Sequence, residues 1–327
     1  MKILVTGGLG FIGINFIKFI LKKNIEVINI DKITYASNRE KKYLKSSKNY
    51  KFYKVDITNY KKMNYIIKKN LPDIIINFAA ETHVDRSINK TNQFVKTNIL
   101  GVHSILECCK NMLHIKKIKL IQISTDEVYG SLYYSGSFKE GDVYKPNSPY
   151  SASKASADHL IRAYRKTYGV PSIIIHPSNN FGPYQNPEKL IPKIIINCMS
   201  KSSIPVYGKG LQIRDWLYVK DTANAIHKIM IKGKVGESYN ISTKNELQNL
   251  KLVKKICKYF DKRYNSNTKI KYENLIKFVP DRPGHDFRYS LINNKIKKLG
   301  WKYSNKFELK LIETIEWYTK KYNSKLT

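Results

Sequence analysis

Acidic side chains are scarce in this 327-residue chain, 25 against 59 Lys and Arg, for a formal net charge of +34. Arginine is scarcer still: 8 of the 59, leaving 51 lysines. Guanidinium forks are the usual bidentate readers of phosphates and base edges. Lysines scattered in pairs such as 22–23, 61–62, 116–117 and 254–255 read instead as solvated faces, so no nucleic-acid partner is expected. The field they create should still draw small anions. Cysteine is limited to Cys108, Cys109, Cys198 and Cys257, without metal-ligand spacing and with an adjacent pair ill suited to a disulfide. No metal is expected, and a reducing cytoplasm fits best. No apolar run approaches the roughly 20 residues that span a bilayer. Residues 1-MKILVTGG-8 enter a strand pattern at once, so neither a membrane nor a leader is expected.

What is present is ordinary for a folded protein: 42% hydrophobic and 26% charged residues. The length exceeds what one core usually organises, which predicts a large domain with a second lobe. Residues 2–23 read as a strand, a glycine turn and an amphipathic helix, and 26-EVINID-31 as a second strand closing on an acid. Gly7, Gly10 and Gly13 recur every third residue. They permit a tight turn, close approach of a pyrophosphate and close helix packing. Asp31 lies 18 residues beyond Gly13, where a carboxylate accepts from a ribose diol and repels a 2′-phosphate, which favours NAD over NADP.

Further strands are predicted at 51–57, 73–80, 118–124 and 172–178, with helices between them. This alternation implies an α/β fold, a Rossmann-like doubly wound parallel sheet with a smaller C-terminal substrate-binding lobe. The NAD-binding domain is predicted over 1–178 with 211–242 returning to it, and the substrate lobe over 179–210 and 243–327. Residues 261–269 read as a polar surface loop and 304–322 as a closing amphipathic helix. Ligands in such sheets bind beyond the carboxyl ends of the strands, which directs attention to Asp56, Ala79 to Thr82, Ser124 to Glu127 and Ser178 to Asn180.

Two of those ends carry chemistry. The stretch 124-STDEVYG-130 sets Asp126 beside Glu127, and 150-YSASK-154 sets Tyr150 four residues before Lys154 on one helix face. A nearby ammonium would lower the tyrosine pKa toward the working range and make it a base. Adjacent carboxyl groups in a closed site resist double ionisation, so one would serve as acid and the other as base.

Together, the glycine trio and Tyr150-x-x-x-Lys154 resemble the extended short-chain dehydrogenase/reductase superfamily in its nucleotide-sugar branch. Segments 79-AAETHVDRSI-88, 124-STDEVYG-130, 178-SNNFGPYQNPEKLIP-192, 206-VYGKGLQIRDWLYVKD-221 and 281-DRPGHDFRYSLINNKIKKLGW-301 are similar to the dTDP-glucose 4,6-dehydratase family within that branch. The resemblance implies NAD as a temporary electron store. It implies that Tyr150 takes the C4 hydroxyl proton with Thr125 on the C4 oxygen, that Glu127 removes the C5 proton, and that Asp126 protonates the departing C6 hydroxyl. It also implies a cofactor set of Gly7, Gly10, Phe11, Ile12 and Gly13 in the turn; Asp31, Lys32, Thr34, Asp56 and Ile57 along the adenosine end; and Ala79, Ala80, Thr82, Thr97, Asn180, Tyr150 and Lys154 farther along. The substrate, a nucleotide-diphosphate hexose, is implied to meet Thr82, Thr125, Asn179, Lys189, Leu190 and Pro205, then Tyr207, Arg214, Asn249, Arg282 and His285. Arg214 and Arg282 suit a diphosphate. A homodimer is implied as well. His176 stands where the family commonly carries arginine and reads as a packed side chain. A UDP-glucose 4,6-dehydratase, or a non-catalytic NAD- or polyanion-binding protein on this scaffold, are the alternatives.

Overall fold

In the computed structural model, residues 1–38, 44, 47–264 and 271–323 are described. The strands in chain order are β1 (Lys2–Thr6), β2 (Glu26–Asp31), β3 (Tyr50–Lys54), β4 (Ile74–Asn77), β5 (Lys119–Ile123), β6 (Ser172–Pro177), β7 (Asn179–Phe181), β8 (Ile204–Tyr207), β9 (Ile213–Tyr218), β10 (Ser238–Ile241), β11 (Glu246–Gln248) and β12 (Ile276–Val279). Among the described residues, seven of them form one parallel sheet in the order β10-β6-β5-β4-β1-β2-β3. Strand order reverses between β1 and β4, which opens a crevice at their carboxyl ends.

The sheet strands are apolar on both faces because helices cover both. Ile3, Val5, Val27, Ile121 and Ile175 pack on one side with helix α1 (Phe11–Leu21) and the helix Val219–Lys232. Leu4, Ile28, Ile75, Leu120 and Ile174 pack on the other with the helices Gly101–Met112 and Pro149–Tyr168. Each such fully buried side chain contributes about 1.5–3 kcal/mol. At the strand ends a polar ladder runs sideways: Thr6 Oγ1 donates to Asn77 Oδ1 (2.5 Å), and Asn77 Nδ2 to Gln122 Oε1 (2.8 Å). It ties β1, β4 and β5 together beneath the crevice.

A second core is built from the helices Leu190–Met199, Asn249–Tyr264 and Phe307–Asn323, with Phe181 and Trp216 between them. Here the structure departs from the sequence reading. Of residues 211–242, the strand that joins the seven-stranded sheet is β10; β9 instead pairs with β7 and β11 in a three-stranded sheet. The buried Asp215 explains this, since it gathers the backbone of Thr243 and Asn245 (2.9 and 2.8 Å) and draws the following segment across β9. Residues 261–264 are helical rather than loop, and Asp261 accepts from the backbone of Tyr272 (2.9 Å). The rest of that expected loop lies outside the described residues. β8 and β12 make a separate parallel pair.

A Cβ at Gly13 would stand 2.5 Å from the Gly7 carbonyl oxygen and 2.8 Å from the Gly8 Cα. Gly13→Ala is therefore expected to cost about 1–3 kcal/mol of stability, measured as a shift in the urea unfolding midpoint.

Candidate active site

The glycine turn is assembled by backbone. Gly7 N–H donates to the Ile30 carbonyl (2.8 Å), and at φ +66° a Cβ there would meet the Ala79 nitrogen at 2.5 Å. Helix α1 begins at Gly10 without a side-chain cap, so its first N–H groups face the crevice unclaimed by any capping side chain. Asp31 closes β2 and accepts from Leu9 N (2.9 Å), Ile33 N (2.8 Å) and the Ser37 hydroxyl (3.1 Å). Those bonds hold the carboxylate at the rim of a groove whose walls include Gly7, Gly10, Lys32, Thr34, Asp56, Ile57, Ala79, Ala80, Thr82 and Thr97. Open N–H groups for a pyrophosphate and an acid for a ribose diol suit a dinucleotide. Lys32, the cation nearest that acid in sequence, is drawn instead to Glu81 (3.4 Å) and Asp56 (3.8 Å), which suits a ribose without a 2′-phosphate. Glu81, within the strand-end segment singled out by the sequence, reaches the walls, as do Tyr35 and Glu188, which were not singled out individually.

The groove continues into a cleft lined by Phe11, Ile12, Gly13, Thr125, Asp126, Glu127, Tyr150, Lys154, Asn179, Asn180 and Lys189. β5 ends at Ile123, and Thr125 caps a single 3-10 turn, Asp126–Tyr129, by accepting from Glu127 N (3.3 Å). Opposite it the helix Pro149–Tyr168 starts from a Ser148–Ser151 capping box, which brings Tyr150 into its first turn. Lys154 Nζ donates to the Ile123 carbonyl (2.6 Å), fastening this helix to the end of β5. Metal-ligand groups do not gather here: among the described residues no cluster of three or more His, Cys, Asp or Glu could hold an ion. No described helix is long and apolar enough to cross a membrane.

Burial controls the electrostatics. Asp126 is enclosed, and burial followed by the neighbouring Glu127 charge raises its pKa well above the usual carboxylate range, against the pull of Arg214. Glu127 is also raised by burial, but Arg282 and Arg214 oppose the rise. Asp126 Oδ1 accepts from Thr125 (3.2 Å), while Oδ2 is buried with no protein partner. The Tyr150 phenol departs from expectation. Burial and the Glu127 charge push its pKa up rather than down, with the Thr125 hydroxyl opposing. Lys154 is pulled down to about 8 by burial, partly offset by Asp158.

On the far side, Lys189 Nζ donates to the Thr82 carbonyl (2.8 Å), and Asp85 takes both Tyr207 (3.0 Å) and Arg282 (3.3 Å). His285 contacts Asp281 (2.5 Å) and meets the Tyr207 ring edge-on. Asn179 and Asn249 each bury an unpartnered Oδ1, and Arg282 an unpartnered Nε. Asn180 is engaged with the Ser178 carbonyl (2.9 Å) and Thr222. Leu190 opens its helix and Pro205 sits in β8. Arg214, expected at the diphosphate, is partly engaged by the protein itself. It is buried, its terminal nitrogens donate to the carbonyls of Ile213, Phe287 and Asp286, and its plane lies over Tyr289. Its charge opposes the rise of both Asp126 and Glu127.

Residues 4–314 match the family described as GDP-mannose 4,6 dehydratase. The chain is 47% identical over 330 residues to a dTDP-glucose 4,6-dehydratase of Haemophilus influenzae, covering 97% of this chain and 98% of that one. It is 45% identical over 336 residues to the dTDP-glucose 4,6-dehydratase of Salmonella typhimurium, covering 97% and 92%. The crystal structure of a Bacillus anthracis dTDP-glucose 4,6-dehydratase in complex with NAD superposes at a TM-score of 0.88, with 42% identity and full coverage of both chains.

A buried lysine titrating near 8 binds its proton less tightly than the unfolded chain does, so the Lys154 contribution to stability should rise with pH from about 8 toward the ordinary lysine range, against the fall contributed by the buried Cys108 and Cys109 thiols, which burial pushes up. Lys154→Met is expected to abolish that rise. Urea unfolding of both proteins, compared below the pH of about 9.5 at which ordinary tyrosines begin to ionise, measures the difference.

Proposed function

Because the chain belongs to the GDP-mannose 4,6 dehydratase family, we infer from its relatives and its site that it is a dTDP-glucose 4,6-dehydratase. It is an NAD-dependent hydro-lyase that converts dTDP-glucose to dTDP-4-keto-6-deoxyglucose. The carrying observation is the enclosed Asp126–Glu127 pair, both raised and unequally so, with one Asp126 oxygen left without a partner. Loss of water across C5 and C6 of a hexose needs a base and an acid at adjacent carbons. It also needs an activated C5 hydrogen, which a C4 ketone provides. NAD, which the Gly7–Gly13 turn and Asp31 would hold, would supply the acceptor for the C4 hydride and its donor to C6.

In this reading the protein residues move the protons. Tyr150 accepts the C4 hydroxyl proton while Thr125 hydrogen-bonds the same oxygen. The Lys154 ammonium stabilises the charge that forms on the phenol, a charge that burial otherwise opposes. Glu127, the less raised carboxyl, ionises first and removes the C5 proton. Asp126, the more raised, keeps its proton and delivers it to the departing C6 hydroxyl. Arg214 and Arg282 keep Glu127 from being raised as far. Arg282, Lys189 and the Tyr207–His285 group offer the charge and donors a nucleoside diphosphate requires. The reading assigns residues 1–178, with the helix Val219–Lys232 and β10, to the cofactor lobe and the remainder to the substrate lobe. It extends to a cytoplasmic homodimer, supported by the family resemblance and by four buried, unpaired cysteines.

Purified protein supplied with NAD and dTDP-glucose deuterated at C4 is expected to yield a 4-keto product carrying the deuterium at C6, and UDP-glucose in a parallel reaction to turn over more slowly. A methyl group labelled only from solvent would overturn the reading. Asp126→Asn is expected to leave C4 oxidation largely intact and slow water loss by roughly 10²-fold, read as accumulation of reduced cofactor at 340 nm in single turnover.

A further inference from the structure

His176 takes no part in the chemistry above, yet its side chain is fully enclosed and bonded to three elements. Its Nδ1 lies 3.4 Å from the Tyr129 hydroxyl, and its Nε2 lies 2.7 Å from the Tyr144 hydroxyl and 3.3 Å from Asp158 Oδ2. Tyr129 donates its own proton to Asn240 Oδ1 (2.9 Å), so the hydrogen shared with Nδ1 belongs to the imidazole. The rings reinforce the arrangement: Tyr129 and Tyr144 stand 5.2 and 5.8 Å from the imidazole and 5.3 Å from each other.

Each partner leads to a different part of the site. Tyr129 is the last residue of the turn whose first two residues are Asp126 and Glu127. Asp158 lies one helical turn beyond Lys154 on the helix that also carries Tyr150. The Oδ2 atom of Asp158 also accepts from Ser124 (2.6 Å), the residue before Thr125, and its Oδ1 is buried without a partner. The polar contacts of Asp158 thus converge on one oxygen, where Ser124 and Tyr144 are the donors and His176 Nε2 stands beside them. Arg162 fixes Tyr144 from the helix surface (2.7 Å). β6 itself runs on to Asn179 two residues later.

We propose that His176 is a positioning residue, the common fastening between the turn carrying the acid–base pair, the helix carrying Tyr150 and Lys154, and the strand that enters the substrate lobe. The proposal rests on the reaction read above for its kinetic consequence but on geometry alone for its structural one. Without the imidazole, the Asp126–Tyr129 turn loses its polar tether to the Tyr150 helix. The two proton-transfer steps then fall out of register, because each depends on a different one of these elements. The substrate-binding side chains lie elsewhere, so ground-state affinity changes little.

His176→Phe should lower kcat by about 10–100-fold with KM within about threefold of the parent. Its single-turnover ratio of C5 solvent exchange to C4 oxidation should also shift, a change that loss of stability alone would not produce. His176→Gln, which keeps one donor and one acceptor, should fall between the two, and it serves as the reading if the phenylalanine variant does not fold. Amide hydrogen exchange across 126–130, expected to quicken about tenfold in either variant relative to the strand β5, needs no turnover. It therefore separates failure of this proposal from failure of the assigned reaction. An unchanged step ratio together with unchanged exchange across 126–130 would overturn the proposal, even if the melting temperature fell.

Discussion

Two carboxyl groups on adjacent residues occupy one enclosed space at the end of β5, and that space cannot cheaply hold two negative charges. Desolvation raises the cost of ionising either, and the Glu127 charge raises it further for Asp126. A site with this constraint contains an acid and a base at the same pH without any difference in residue chemistry beyond one methylene. Which carboxyl takes which role is decided by position. Asp126 lies deeper and has one unpartnered oxygen, whereas Glu127 is offset by two arginines. The arrangement is useful only if the surroundings remain dry and fixed, and much of the architecture around it meets that requirement.

Fixation comes from the sheet outward. The Thr6–Asn77–Gln122 ladder aligns the ends of β1, β4 and β5, so the glycine turn, the Ala79–Thr82 segment and the Thr125 cap emerge at one level. Lys154 then joins the Tyr150 helix to the last carbonyl of β5. The sequence expectation for Tyr150 failed because of what surrounds the phenol. Helical spacing does place an ammonium and a phenol on one face. It does not show that the phenol is enclosed against Phe94 or that a negative glutamate lies near it. Burial of a neutral acid is a tertiary effect with no local signature.

The legible and illegible parts divide along that line. Turn chemistry is local, so Gly7, Gly10, Gly13 and Asp31 could be read directly. Period-2 and period-3.6 patterns gave the parallel sheet and its covering helices. The returning segment 211–242 divides between two sheets because a run of sequence does not disclose its pairing partner, and here the buried Asp215 decides it. For Arg214, scarcity and motif suggested a phosphate, and nothing local disclosed that three carbonyls supplied from 213 and 286–287 also claim its terminal nitrogens. Glu188 and Tyr35 gave no signal because their importance lies only in which residues they face across the cleft. Tyr35 stacks under Arg86 at 3.9 Å, and Arg86 in turn reaches Glu188 at 3.0 Å.

The contacts that span the cleft differ in kind from those that build the site. Asp85 faces Arg282 and Tyr207, and although burial would raise its carboxyl, these partners hold it below its ordinary value. Both members of the Asp85–Arg282 pair keep part of their surface in water, and such a pair is worth no more than about 1 kcal/mol. A doubly charged diphosphate entering the cleft presents more acceptors than one carboxylate and fits a guanidinium fork better. On the proposed reading a phosphate oxygen takes the place of Asp85, and the unpartnered Nε of Arg282 adds a donor that the protein does not satisfy. An arginine so held is neither free to collapse onto Glu127 nor bound too tightly to release. A binding cation whose charge also reaches the acid–base pair has to satisfy both conditions.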